Sequence, residues 1–295
     1  MLIPDYPDFV PITIDLKDEL HPRLSLTHDG VSEFTFCGLY LFRYRYNYRI
    51  SRSGSRDGGF IISGEQDGRS FFMTPCNAPD WETLDLLFAT HDYWKNISQS
   101  VLGASQEYAE KRDVLCIEDR DNFDYLYNRS DLAELAGKRF HKKKNHVNSF
   151  INKYPCHEQK KLNADTIPAA IHVLEKWRQN SVLRDEGDFK AAREALDLSE
   201  TLPLKGSVFF IDGKPVAFCS GESLARGRMF AVHFEKADDE YKGIYQFVNK
   251  TFSASIPRFF TYINREQDLG DTGLRQAKMT YRPCGFVQKW RAEKK

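Results

Sequence analysis

Three stretches of this chain gather side chains suited to chemistry rather than to a core. The densest is Ile263-Asn-Arg-Glu-Gln-Asp-Leu-Gly-Asp-Thr-Gly-Leu-Arg-Gln-Ala-Lys-Met-Thr-Tyr-Arg-Pro283. Glu266 and Asp268 are two apart, so a strand persisting through them would turn both carboxylates to one face and onto one cation. Lys278 and Tyr281 follow at i, i+3 on a helix expected from Thr272, which sets an ammonium and a phenol on one wall. Leu274 and Ala277 share that face and would seat the helix on the sheet. Opposite charges this close would keep Lys278 protonated and the carboxylates ionised. Such a set suits gripping an amine and polarising a carbonyl, with Asn264 and Arg282 at its margins. The blander alternative is a charged connection whose carboxylates cap the helix.

The second stretch runs from Gly137 to Tyr154 and contains Arg139-Phe-His-Lys-Lys-Lys-Asn145. At about 100° per residue, Phe140, Val147, Phe150, Ile151 and Tyr154 share one arc, with Lys142, Asn145, Ser149 and Lys153 opposite. Lys143 falls inside the apolar arc and Lys144 at its edge. Lysines are rarely buried unless paired. Lys143 is therefore expected either to snorkel out or to meet an anion in a cleft. Arg139, Lys142, Lys143, Lys144 and Asn145 are the candidate phosphate ligands.

In the third stretch, Met229 to Glu235 alternates as a strand does, with Ala231, His233 and Glu235 on one face. A carboxylate at a strand's end, beside the start of a helix carrying Ile244, Phe247, Val248 and Phe252, is a candidate general base. His233 reads either as a satisfied sheet histidine or as a catalyst.

The elements that must position these groups are those of a mixed α/β chain. At 295 residues it exceeds one average domain, and its 41% hydrophobic content supports a core. Lys plus Arg and Asp plus Glu are each 42, which excludes a general polycationic coat. Six dispersed cysteines without a CxxC pair argue against a zinc or disulfide framework and for reduced thiols. No apolar run approaches the length of a membrane span, and the start of the chain lacks a signal pattern, so a cytoplasmic protein is expected.

Ile14 to Leu20 reads as a helix ending near Pro22. Ser32 to Ile50 reads as one or two strands, because Tyr44, Tyr46 and Tyr48 alternate with polar residues. Residues 51–59 form a loop, and Phe60–Ser63 and Ser70–Thr74 a hairpin about Asp67-Gly68. Asp80 caps a helix that runs through His91 and Trp94. A further helix precedes Arg112, with a strand at Val114–Glu118. Beyond it, a helix begins near Thr166 with Pro168 in its first turn, and another covers Phe189–Leu198. Ser207–Ile211 and Pro215–Glu222 form a second Asp-Gly hairpin, about Asp212-Gly213. The echo between the two hairpins suggests two similarly built halves.

Asn-Arg-Glu-Gln-Asp-Leu-Gly…Gly-Leu-Arg-Gln-Ala-Lys…Tyr-Arg-Pro, with Ser130-Asp131-Leu132 and Gly-Lys-Arg-Phe-His-Lys-Lys-Lys-Asn-His upstream, resembles soluble bacterial proteins related to the C-terminal catalytic region of phosphatidylglycerol lysyltransferase. The resemblance covers nearly the whole chain. It implies two tandem GNAT-like acyl-CoA N-acyltransferase domains with mixed central sheets, as in Fem-type aminoacyltransferases. The expected units are 1–137 and 138–295, the basic helix 138–154 opening the second.

The resemblance implies acyl transfer, aminoacyl from a charged tRNA, to an amine or hydroxyl on a small molecule, lipid or peptide, with no tightly bound cofactor. Glu235, Glu266, Asp268, Lys278 and Tyr281 would be the catalytic set. An acyl-CoA donor, or a non-catalytic module binding a ligand or RNA, are the alternatives. Where CoA-dependent relatives carry a glycine-rich pyrophosphate loop, this chain has Asp238-Asp-Glu-Tyr-Lys-Gly-Ile244, whose acids would repel pyrophosphate.

Overall fold

The computed structural model describes residues 2–54, 59–179 and 186–295. In chain order the first half contains β1 (Val10–Pro11), α1 (Lys17–Leu24), α2 (Phe36–Leu41), α3 (Arg43–Tyr46), β2 (Arg49–Arg52), β3 (Phe60–Gln66), β4 (Arg69–Met73), α4 (Trp81–Thr90), β5 (Tyr93–Ile97), α5 (Gln99–Ala104), α6 (Gln106–Lys111) and β6 (Val114–Glu118). There follow β7 (Asp124–Asn128), α7 (Arg129–Glu134), α8 (His141–Lys153), β8 (His157–Lys161), α9 (Ile167–Gln179), α10 (Glu186–Asp197), β9 (Lys205–Ile211), β10 (Lys214–Leu224), β11 (Met229–Ala237), α11 (Ile244–Ser255), β12 (Tyr262–Asn264), α12 (Thr272–Met279), β13 (Gly285–Val287) and β14 (Trp290–Lys294).

These strands form two mixed seven-stranded sheets, ordered β1-β2-β3-β4-β5-β14-β6 and β8-β9-β10-β11-β12-β7-β13. Position by position the sheets match. β4 pairs in parallel with β5 across α4, and β11 with β12 across α11; every other neighbouring pair is antiparallel. The expected two α/β halves with mixed sheets are present. In this alignment β3–β4 corresponds to β10–β11, whose turn is Ala225-Arg226-Gly227. The two Asp-Gly hairpins are therefore one strand out of step.

The sixth strand of each sheet comes from the other side of the chain. β7, which precedes the expected join at 137/138, lies in the second sheet, and the C-terminal β14 returns to the first. The chain crosses between sheets at 119–123 and again at 288–289. The halves are also packed together by a shared core in which Leu20, Phe36 and Tyr40 meet Leu174, Ala192, Leu196 and Phe218. Each fully buried side chain of this kind contributes roughly 1.5–3 kcal/mol. Arg43 closes the seam, stacked 3.7 Å from the Tyr40 ring centre and forked onto Glu194 at 3.0 and 2.7 Å.

Several local expectations change. Residues 32–46 are helical, because Thr35 caps α2 by accepting from the Gly38 N–H, and Phe36, Leu39 and Tyr40 bury one face. Asn47, at φ 48°, ends α3, and extended chain starts only at Arg49. Pro22 lies inside α1. Asp80 does cap α4, but the helix stops at Thr90, and Trp94 belongs to β5. Ahead of the densest motif, β12 covers only Tyr262–Asn264, and Phe259 is exposed. Of the 51–59 loop, residues 55–58 lie outside the described residues.

Candidate active site

A cleft of about 650 Å³ lies between the halves. Glu33, Phe42, Tyr46 and Lys95 line it on one side, and Lys143, His233, Glu235, Arg265, Glu266, Lys278 and Tyr281 on the other. The face of β11 foreseen from its alternation supplies His233 and Glu235.

His233 lies between two carboxylates, with Nδ1 2.6 Å from Glu266 Oε1 and Nε2 3.0 Å from Glu222 Oε1. Burial pulls its pKa down, but the hydrogen bonds to Glu222 and Glu266 outweigh that and raise it to about 10. The ring is an imidazolium at neutral pH, donating to both acids. Glu235 pairs with Arg265, Oε1 to Nη2 at 2.9 Å. Arg265 in turn stands 5.7 Å from the Tyr281 ring centre, and Lys143 4.1 Å from it. Burial holds the Tyr281 phenol well above its ordinary value, so it keeps its proton.

Lys278 reaches back to the chain entering its own helix. Its Nζ donates to the carbonyls of Arg265 at 2.5 Å, Glu266 at 3.1 Å and Gln267 at 2.6 Å. Burial, then the Arg265 guanidinium, push its pKa down to about 8. Desolvation outweighs the cluster's acids, so Lys278 holds its proton less tightly than an ordinary lysine, yet it stays an ammonium at neutral pH.

The expected pairing of Glu266 with Asp268 also fails. Glu266 has φ 56°, a left-handed conformation that breaks the strand, so the two carboxylates part. Glu266 faces the cleft. Asp268 turns inward, fully buried, and accepts from Arg275 Nε at 2.9 Å and Nη2 at 2.8 Å, from Tyr125 at 2.6 Å and from the Gly270 N–H at 3.0 Å. Burial opposes its charge, but Arg275, Tyr125 and that N–H hold its pKa down at about 2.

Asn264 is likewise buried, donating to Gly30 O at 3.0 Å and Asp124 at 3.1 Å. Nor does Leu274 anchor α12. It is exposed, and no residue of α12 is buried. Lys278 and Arg275 tie the helix down through polar contacts, while Asp271 caps it by accepting from the Leu274 N–H at 2.8 Å.

Lys143 is half-buried, as its place in the apolar arc implied. It also borders a second cavity of about 510 Å³, lined with Lys138, Arg139, Lys142, His146 and Arg282. Arg139 there pairs with Asp131 at 2.7 Å. Lys144 and Asn145 are exposed and line neither space.

Sequence reasoning missed Arg265, which sat within the densest motif, and Lys95 and Glu222, which stand in ordinary strand sequences. It also missed Asp124 and Lys289, whose pairing spans the two sheet crossings. A buried charge in a strand shows itself in sequence only as a break in the apolar alternation.

Two mixed sheets of matching strand order face a cleft lined by His233, Glu235, Arg265, Glu266, Lys278 and Tyr281. The family model for Phosphatidylglycerol lysyltransferase, C-terminal matches residues 24–293, so the chain belongs to that family. A conserved protein of unknown function from Bacteroides thetaiotaomicron is 29% identical, with a TM-score of 0.86 over 97% of this chain and 99% of its own. The C-terminal domain of a putative lysylphosphatidylglycerol synthetase from Agrobacterium fabrum shares the fold at 13% identity and TM-score 0.69, over 96% and 92% of the two chains. FemX shares it at 7% identity and TM-score 0.54, over 98% and 95%. An uncharacterised protein of Mycoplasmoides gallisepticum is 23% identical over 74% of this chain and 72% of its own. Among the described residues, no helix is long and apolar enough to cross a membrane.

Proposed function

We propose that the chain transfers an aminoacyl group from a charged tRNA to an amine or hydroxyl acceptor in the cleft between its halves. The observation that carries this reading is the junction at Lys143 and Tyr281, where a strongly basic cavity opens beside a cleft holding carboxylates and a protonated phenol. The RNA's terminal phosphates would lie along Arg139, Lys142, Lys143 and Arg282, placing its 3′ ester over Tyr281.

In the transfer, the acceptor's nitrogen or oxygen bonds to the ester carbonyl carbon and gives up a proton, for which Glu235 and Glu266 are the bases at hand. The oxyanion that forms is met by the positive potential of Arg265 and Lys278. As the carbon–oxygen ester bond breaks, Tyr281 gives its proton to the ribose oxygen. The acid and base are restored by return of the acceptor's proton. Asp268, in this reading, positions α12 and touches no substrate.

An acyl-CoA donor is less well supported. The segment before α11 places Asp238 on Lys176 at 2.6 Å and Glu240 on the same lysine at 3.0 Å, so carboxylates occupy the approach that a pyrophosphate would need. A thermal-shift screen of CoA thioesters, free amino acids and bulk tRNA separates the donors. The reading requires stabilisation by tRNA, with binding that weakens steeply as salt rises. Stabilisation by CoA thioesters alone would reject it.

A further inference from the structure

Lys95, on the wall of the cleft opposite the proposed chemistry, is a lysine only 5% exposed. It springs from β5 and lines the cleft. Among the described residues it makes no ion pair. Its one hydrogen bond is to the neutral Gln66 Oε1, and its ammonium stands 4.9 Å from the Tyr46 ring centre and 4.8 Å from that of Phe71. The acid lining the same wall, Glu33, is already held by Lys289.

A lysine this far out of water is costly unless a counter-charge meets it. The other buried ammonium groups nearby show the contrast. Lys289 has two carboxylates, and Lys278 has three carbonyls. Burial lowers the pKa of Lys95, outweighing the more distant carboxylates of Glu33, Asp119 and Asp67, none of which forms an ion pair with it among the described residues. Beside it the wall is aromatic, formed by Phe42, Tyr46 and Tyr48, with Arg45 at the rim.

We propose that Lys95 is the anion-binding centre of a second subsite in the cleft, one that holds a phosphate or carboxylate group attached to a flat or apolar moiety lying on Tyr46 and Tyr48. The anion supplies the missing counter-charge, and the rings cover what it is attached to. Calling this ligand the acceptor rests on the proposed transfer reaction; the binding itself does not, and is measured without any donor.

The test is calorimetric titration of the full chain with phenyl phosphate and, separately, benzoate, each against wild type and Lys95→Met. Wild type should bind at least one of them, and the preferred anion names the chemistry. Lys95→Met should weaken that binding on the order of tenfold or more, the value of one charge-assisted contact. Equal affinity in wild type and variant, or no binding of either anion to wild type, overturns the proposal. Should Lys95→Met fail to fold, fluorotyrosine resonances of wild type decide: phenyl phosphate must shift Tyr46 or Tyr48, and shifts confined to other tyrosines overturn it.

Discussion

Lys289 and Asp124 meet at 2.8 Å where the chain makes its two crossings between the sheets, and neither is exposed to solvent. Asp124 opens β7 and Lys289 immediately precedes β14, so one ion pair pins both exchanged strands. Asp124 also accepts from the Ser32 N–H at 2.9 Å, Gln267 at 2.7 Å and Asn264 at 3.1 Å, tying the first half to the chain that leads into the cleft. Removing one member of such a buried pair leaves the other charge uncompensated. Lys289→Met should therefore cost about 3–5 kcal/mol in denaturant unfolding. A cost under about 1 kcal/mol would show that the crossing is held by packing instead.

Asp268→Asn tests whether that carboxylate positions or reacts. With the acid replaced by an amide, one acceptor oxygen becomes an N–H donor facing Arg275 and Tyr125, and α12, which buries no apolar residue, is left with the Lys278 tether. Expected are a stability loss of about 2–3 kcal/mol and lost transfer. A variant as stable as wild type but inactive would restore Asp268 as a direct participant.

These outcomes bear on how much the sequence revealed. Hairpin turns were legible because Asp67-Gly68 and Asp212-Gly213 need left-handed backbone that few residue pairs tolerate. The cleft face of β11 and the inward lean of Lys143 were legible from periodicity. The helices over 36–46 were not read, because Tyr44, Tyr46 and Tyr48 mimic a strand over too few residues to separate periods of 2 and 3.6. The Thr35 cap, with Phe36, Leu39 and Tyr40 at helical spacing, was the better signal. The Glu266–Asp268 geometry was out of reach, since a single left-handed residue that is not glycine redirected the chain. Strand exchange was equally hidden: Asp124 and Lys289 are 165 residues apart, and nothing local marks either.

The buried imidazolium gives a pH signature. The pKa of His233 rises on folding from an ordinary value near 6.5 to about 10, so the folded state binds the proton more tightly. Its stabilising contribution is complete below about 6.5 and is lost as pH climbs toward about 10. The stability gap between wild type and His233→Gln should accordingly narrow across that window, read as denaturation midpoints at several pH values. A gap that is constant with pH would mean the ring is neutral when folded.

Lys143→Ala should leave the melting temperature nearly unchanged while weakening binding of bulk tRNA. One phosphate contact fewer lowers the slope of log Kd against log salt by about one. An unchanged slope and affinity would reduce Lys143 to a snorkelling side chain beside Tyr281.

The proposed reaction stands most directly on one measurement: the rate at which the purified chain removes radiolabelled aminoacyl groups from a mixed pool of charged tRNA in the presence of a cell extract as acceptor, for wild type and Tyr281→Phe. Wild type should accelerate that loss and leave label on a new acceptor, and Tyr281→Phe, still folded, should be slower by on the order of 10²–10³, the value of one donor to a developing negative oxygen. If wild type leaves every charged tRNA intact, or if Tyr281→Phe transfers as fast as wild type, the assignment of this cleft to aminoacyl transfer through Tyr281 is contradicted.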